Sequence, residues 1–133
     1  MCQTAVISNN IGHLRTLVPD AGDVAQLKRL NSDLQDFYEL LYSQWNTVTE
    51  EEYAVFGHHL VTMLQAIKNL YLSCKRTVKS RAMEKQVEIL GMNYSALYEI
   101  NSDIINFCIE SKKDQNLQKS IHEASNSLNN DNF

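Results

Sequence analysis

Residues 49–79 carry a long amphipathic pattern, TEEEYAVFGHHLVTMLQAIKNLYLSCKRTVK. Its apolar side chains recur at steps of three or four residues, and they are Tyr53, Phe56, Leu60, Met63, Ile67, Leu70 and Cys74. This spacing keeps one apolar face toward a partner along the whole stretch, which predicts a long core helix. Thr49 and Glu52 have the spacing of a capping box, so we expect the helix to begin there.

Two helices are predicted before this stretch. The first is a short N-terminal helix with the apolar stripe Ile7, Ile11, Leu14 and Val18. It should end at Pro19, because the residue before a proline avoids the helical conformation. Asp23 is then a suitable N-cap for a long helix to about residues 44–46, with the stripe Leu27, Leu30, Leu34, Phe37 and Leu41. Only residues 46–48 separate this helix from Thr49, and connections this short predict an antiparallel hairpin.

The chain after residue 78 predicts a break and a third long helix. No Gly or Pro lies between Val78 and Met83, but the apolar stripe restarts there with a rotation of roughly 140°, at about 100° per residue. We therefore predict a break near residues 79–82, with Ser80 as a cap. The new stripe runs to about residue 110 through Met83, Val87, Leu90, Tyr94, Leu97, Ile104 and Cys108. Gly91 inside this stripe predicts a close approach of another helix.

Asn101 occupies the stripe position between Leu97 and Ile104, and two interpretations are open. Its amide is buried and sets the register of the bundle, or a local rotation turns Ile100 inward and leaves Asn101 at the edge.

The fold class predicted from these patterns is all-α. It is an antiparallel bundle of three long helices with a short N-terminal helix and a weak, fraying C-terminal helix. The C-terminal helix is predicted from a thin apolar stripe, which consists of Leu117, Ile121, Ala124 and Leu128. Residues 1–125 are expected to form a single domain, and residues 126–133 a polar, disordered tail.

Composition limits the function. The formal charge of −4 does not favour nucleic acid as the main partner, because phosphate neutralisation needs surplus Lys and Arg. An odd number of cysteines without close pairing favours a reducing compartment. The N-terminus has no basic segment followed by an apolar run, and no stretch approaches the roughly 18 apolar residues of a membrane span. We expect a soluble cytoplasmic protein with no membrane association.

No stretch has the pattern of a catalytic or cofactor site. The sequence contains no P-loop, no glycine-rich dinucleotide turn and no Gly-x-Ser-x-Gly motif. His58 and His59 are adjacent, so on a helix their side chains diverge by about 100° and cannot chelate one metal together. We therefore expect a protein that is not an enzyme and that holds no cofactor or metal.

A histidine on the second long helix of an acidic bundle resembles histidine phosphotransfer domains. The resemblance implies a phosphorelay intermediate that uses His58, favoured over His59 because Phe56 and Leu60 draw the face next to His59 inward. Those domains place a lysine and a glycine just after the histidine, and the run from His58 to Thr62 has neither. Phosphotransfer is thus an alternative function, which requires an exposed histidine beside a docking surface.

A basic cluster is the basis of the second alternative. It consists of Lys75, Arg76, Lys79, Arg81 and Lys85. The cluster could bind phosphate, which would make the protein a nucleic-acid-associated regulator. The favoured interpretation is that these cations complement a helix C-terminus and solvate one end of the bundle.

The two central helices carry more apolar side chains than one neighbouring helix can cover. The surplus side chains are Val55, Val61, Leu64, Tyr71 and Leu72 on one helix and Tyr98, Ile100, Ile105 and Ile109 on the other. We therefore predict an interaction or regulatory module that forms a homodimer and binds an unidentified protein partner. Its expected interface is Val61, Leu64 and Leu72, or Tyr98, Ile105 and Ile109. The rival is a monomer in which the N-terminal helix covers the surplus through Ile7, Ile11 and Leu14.

Overall fold

The computed structural model describes the backbone of residues 2–130 and the side chains of residues 2–113, 119–121, 123 and 124. The helices are α1 (Thr4–Leu17), α2 (Val24–Gln44), α3 (Glu50–Arg76) and α4 (Arg81–Asn130). Short 3₁₀ turns, Val18–Asp20 and Trp45–Thr47, follow α1 and α2. The described residues form no strand, so the predicted all-α fold class is confirmed.

Side-chain caps define where the long helices start. The Thr49 hydroxyl accepts a hydrogen bond from the Glu52 amide at 3.2 Å, and the Glu52 carboxylate accepts one from the Thr49 amide at 3.0 Å. Asp23 and Gln26 form the same reciprocal pair at the start of α2. Each pair satisfies two amides that have no partner inside the helix. The capping box predicted at Thr49 is confirmed.

The predicted break between the third and fourth helices is also confirmed. α3 ends at Arg76 and α4 begins at Arg81, slightly earlier than the expected break. The Ser80 hydroxyl accepts a hydrogen bond from the Met83 amide at 3.2 Å, as expected for a cap.

The helices form a bundle in which α4 lies between α2 and α3. α4 packs against both of these helices, and α1 packs against α2 and α3. α2 runs parallel to α4, because Asn31 contacts Gln86 and Trp45 contacts Phe107 farther along both helices. The order around the bundle is therefore α1, α2, α4, α3.

The predicted hairpin of α2 with α3 is not formed, because in the described chain these helices do not make a packed pair. Their connection crosses the end of α4 instead. The Trp45 ring packs edge-on against the Phe107 ring, with 5.9 Å between the ring centres. The Cys108 thiol donates a hydrogen bond to the Val48 carbonyl at 3.3 Å. These contacts hold the connection on α4, so α4 and not α2 lies beside α3.

The core consists of the predicted apolar stripes. Phe56, Leu60, Met63 and Ile67 of α3 have no exposed surface. The buried side chains of the other helices include Ile7, Ile11, Leu14, Leu27, Leu30, Leu34, Phe37, Leu41, Leu90, Leu97 and Ile104. Three of these, Ile7, Ile11 and Leu14, lie on α1, so the rival expectation that α1 covers part of α3 is met.

Polar contacts also connect α4 to its neighbours inside the bundle. The Asn31 amide of α2 donates to the backbone and side-chain oxygens of Gln86 at 3.0 and 3.1 Å. The Tyr53 hydroxyl of α3 donates to Asn101 Oδ1 at 2.6 Å. Asn101 and Ile100 are both buried, at 6% and 3% exposed. The burial of Asn101 expected in the first interpretation is confirmed, its role in setting the register stays a prediction, and the second interpretation is correct only for Ile100.

α4 continues through Gly91, as predicted. A Cβ atom at Gly91 would lie 2.9 Å from Tyr71 Cε2, closer than carbon atoms normally approach, so glycine lets α3 and α4 come together here.

The C-terminal part of α4 differs from the prediction. The helix is continuous from Arg81 to Asn130, so the expected separate C-terminal helix is the end of α4. The ammonium of Lys112 lies 3.2 Å from the carboxylate of Glu50, where α3 begins. The helix therefore extends roughly 27 Å past this end of the bundle at the usual rise per residue. Residues 131–133 of the expected tail lie outside the described residues, and the boundary at residue 125 stays a prediction.

Candidate interaction surface

Most of the large apolar side chains that stay exposed lie on α3 and α4. Among the described residues of these helices they are Val55, Val61, Leu72, Met92, Tyr98, Ile109 and Ile121. Single exposed apolar residues are normal on protein surfaces, so their grouping matters more than their number.

The antiparallel packing of α3 and α4 brings most of these side chains along one groove. Tyr53 contacts Asn101 near one end, and Tyr71 lies against Gly91 near the other. The same register places Val61 and Tyr98 at about the same level. We call this the α3–α4 surface, and it consists of Val61, Leu72, Met92, Tyr98, Ile105 and Ile109.

Each end of the α3–α4 surface opens into a cleft. A cleft of about 380 Å³ is lined by Tyr53, Ile105, Cys108 and Ile109. A wider one of about 650 Å³ is lined by Tyr71, Leu72, Gly91, Met92 and Tyr94. Both clefts have an apolar floor, and the three aromatic rings in them are of the type enriched at protein interfaces.

Charged side chains surround the two clefts unequally. The first cleft has the carboxylate of Glu50 with the ammonium groups of Lys112 and Lys113. The second has the ammonium group of Lys68 with the carboxylates of Glu88 and Glu99. The first cleft therefore has a surplus cation, and the second a surplus anion.

The structure places the predicted interface residues in different environments. Val61, Leu72, Tyr98 and Ile109 are exposed and Ile105 is partly buried, all on the α3–α4 surface. Leu64 is only 4% exposed and belongs to the core. It lies one turn after Leu60 and three residues before Ile67, both fully buried, so it shares their face. Leu64 is therefore removed from the predicted surface.

His58 and His59 are both exposed. Phe56 and Leu60, the neighbours of His59 on its helix, are fully buried as expected, but His59 itself lies exposed at a cleft between α1 and α3. His58 lies three residues before Val61, at the edge of the α3–α4 surface, so phosphotransfer through His58 stays a prediction. No group of three or more His, Cys, Asp or Glu side chains in the described part of the chain could hold a metal ion.

The basic cluster lies where α3 passes into α4, and its five side chains are exposed. Acidic side chains interrupt it, because Glu84 and Glu88 line the same shallow cleft as Arg81 and Lys85. Lys75 Nζ lies 5.8 Å from the centre of the Tyr71 ring. This mixed setting favours the interpretation as a solvated bundle end.

Neutralising Arg76, Lys79 and Arg81 together, as glutamines, should leave folding and self-association nearly unchanged. Exposed charges at a bundle end contribute little to stability. Denaturation and sedimentation of the triple variant would check this. Salt-sensitive binding of DNA or RNA by the unchanged protein, lost in the triple variant, would instead support the nucleic-acid alternative.

The cysteines are free and buried in the described structure. Burial raises the pKa values of the Cys2, Cys74 and Cys108 thiols. These side chains therefore stay protonated at neutral pH and act as small apolar groups of the core, since the thiolate is the nucleophilic form.

Sequence reasoning missed Met92, Ser8 and Arg15. Met92 could have been found, because it is an apolar residue off the main stripe, like the surplus residues that were identified. Arg15 could not, because its neighbour His59 is 44 residues away in sequence and is brought near it only by packing of α1 on α3.

The fold and the α3–α4 surface define an all-helical bundle protein with a partly apolar groove along two of its helices. Comparison of the chain with family models, curated proteins and solved structures finds no match. None of the helices described over residues 2–130 is both long and apolar enough to cross a membrane.

Proposed function

We propose that this protein is a helical-bundle interaction module, without catalytic activity, that self-associates as a homodimer through the α3–α4 surface. The observation that carries the proposal is the exposure of Val61, Leu72, Tyr98 and Ile109 on the α3–α4 surface. Exposed apolar groups gathered on one surface are typical of protein interaction sites.

The position of α1 supports the use of this groove. α1 packs on α2 and α3 and buries its own apolar stripe there. Val61 and Leu72 stay exposed although α1 is in place. A second copy of the chain would remove these side chains from water, at roughly 25 cal/mol per Å² of apolar area.

The charges around the clefts suit a two-fold arrangement. In an isologous dimer the same surface of both copies meets about a two-fold axis. With the axis near Val61 and Tyr98 and perpendicular to the helices, the end with Lys112 and Lys113 would face the end with Glu88 of the other copy. Opposite charges would then lie near each other, which favours association.

The test is sedimentation equilibrium of Tyr98→Glu beside Tyr42→Glu. The two tyrosines are closely matched, because Tyr98 is 57% and Tyr42 is 63% exposed. Each also has a second tyrosine one helical turn earlier, with about 6 Å between the ring centres. Only Tyr98 lies on the α3–α4 surface, whereas Tyr42 lies on α2. A glutamate in an apolar interface should raise the dimer dissociation constant at least about tenfold, because it would lose its hydration there.

We expect the unchanged protein and Tyr42→Glu to approach twice the 15.2 kDa mass of one chain at micromolar concentration. Tyr98→Glu should remain near the mass of one chain. A monomeric mass of the unchanged protein at all concentrations would refute the dimer. Equal weakening by both variants would place the interface elsewhere.

A further inference from the structure

Another cleft, separate from the α3–α4 surface, lies between α1 and α3. It measures about 410 Å³, within the usual range for small-ligand pockets. Its lining includes Ser8, Gly12 and Arg15 from α1 and Val55, Phe56 and His59 from α3. The spacings of four and three residues on α1, and of four between Val55 and His59, place each set on one helix face. Among the side chains that the structure describes, no acidic one lines this cleft.

The polar side of the cleft consists of hydrogen-bond donors. Arg15 Nη1 lies 3.2 Å from His59 Nδ1. Because a guanidinium has only donors, Nδ1 must accept, and a neutral His59 then carries its proton on Nε2. Arg15 and His59 together therefore offer N–H groups and a positive charge at the cleft. His13, two residues before Arg15, differs in that it lies 3.1 Å from the carboxylate of Asp33.

The inner part of the cleft also has an unused polar group. The Ser8 hydroxyl is buried and, among the described residues, has no hydrogen-bond partner. Buried polar groups are normally hydrogen-bonded, so a bare one at a cleft calls for a ligand or water. Gly12 stands between Ser8 and Arg15, and a Cβ atom there would meet no atom within 4 Å. The missing side chain thus leaves space between the hydroxyl and the guanidinium.

The remaining lining is apolar. Phe56 is fully buried, and Val55 is exposed although it is a large aliphatic residue. An ion as small as phosphate would leave this apolar surface exposed to water, whereas an anion with an apolar body would cover it.

We propose that the α1–α3 cleft binds a small organic anion, with a phosphate or carboxylate group carried on an apolar body. The anionic group contacts Arg15 and His59, whose donors match its oxygens. The apolar body lies against Val55 and Phe56, and the Ser8 hydroxyl donates to an oxygen of the ligand.

The experiment is an NMR titration of the full chain, followed through its backbone amides at constant ionic strength. The three probes are phenyl phosphate, inorganic phosphate and benzyl alcohol, which carry the anion with an apolar ring, the anion alone and the ring alone. We expect saturable shifts at residues 8–15 and 55–59, with phenyl phosphate the tightest of the three. Benzoate in place of phenyl phosphate distinguishes a carboxylate from a phosphate preference.

Arg15→Gln should weaken the binding of phenyl phosphate about tenfold or more, because the substitution removes a charged hydrogen-bond donor. Arg29→Gln is the matched control, an exposed arginine on α2 away from the cleft, and it should leave binding unchanged. Ser8→Ala tests the inner donor and should also weaken binding. Arg15 is exposed and glutamine is a good helix former, so the fold should be retained, which a melting curve would verify.

Two results would overturn the proposal. One is the absence of saturable shifts at residues 8–15 and 55–59 with phenyl phosphate or benzoate, or shifts confined to residues 75–85. The other is equal weakening by Arg15→Gln and Arg29→Gln, which would show general charge attraction instead of a site. Neither result depends on whether the protein forms a dimer.

Discussion

Leu60→Ala should lower the free energy of unfolding by about 2–5 kcal/mol. Leu60 has no exposed surface and lies in the middle of the α3 stripe, between Phe56 and Met63, which are also fully buried. Truncation removes apolar contacts and leaves a cavity that the surrounding helices fill only in part. Ile67→Ala, two turns farther along the same stripe, should lower the free energy of unfolding by a similar amount.

The matched control is Val55→Ala on the same helix. Val55 is mostly exposed, so removing its two methyl groups should change stability by less than about 1 kcal/mol. Chemical denaturation at two protein concentrations gives the comparison and also detects a contribution from self-association. Losses below about 1 kcal/mol for both Leu60→Ala and Ile67→Ala would contradict the assignment of this face to the core.

Gly57→Ala should lower the free energy of unfolding by about 1–2 kcal/mol, although alanine is the better helix former by about 1 kcal/mol. A Cβ atom at Gly57 would lie only 2.6 Å from Tyr53 Cζ. The Tyr53 ring cannot easily move, because it packs edge-on against Phe56 and its hydroxyl donates to Asn101. Burial raises the pKa of the Tyr53 hydroxyl, which therefore stays a donor at neutral pH.

Displacement of the Tyr53 ring would leave the buried Asn101 oxygen without its partner, which is the larger part of the expected loss. In a Tyr53→Ala background the space is free, so Gly57→Ala should there become neutral or stabilising. This double-mutant cycle measures the contact directly. Gly12→Ala is the control, because a Cβ atom meets nothing within 4 Å there, and it should stabilise by about 0.5–1 kcal/mol. A similar gain at both glycines would contradict the close packing of Tyr53 on Gly57.

The arrangement of α2 and α3 shows where local reasoning stopped being sufficient. A connection of a few residues between two amphipathic helices predicts a hairpin, and most connections of this length do join neighbours. Here Trp45 and Val48 inside the connection are themselves apolar and pack on α4. Their contacts with Phe107 and Cys108 span about 60 residues of sequence. The spacing of apolar residues within each helix contains no information about such pairs.

The surplus apolar residues illustrate the same limit at single positions. Leu64 and Val61 are both off the main α3 stripe in sequence, yet Leu64 is buried and Val61 exposed. The difference depends on which side of α3 its neighbours occupy. Likewise, Gly57 looks like an ordinary helix-weakening residue until the ring of Tyr53 is found over it.

The sequence alone determined most of the helices, because their signals are local, although it did not show that α4 continues past residue 110. The capping box at Thr49, the break capped by Ser80 and the apolar stripe of α3 depend on residues within a few turns of one another, whose geometry the helix itself sets. Only the tertiary structure decided that α4 lies between α2 and α3, that Arg15 meets His59, and which apolar side chains stay exposed. These features depend on contacts between residues far apart in the chain, and the balance of packing that selects them belongs to the bundle as a whole.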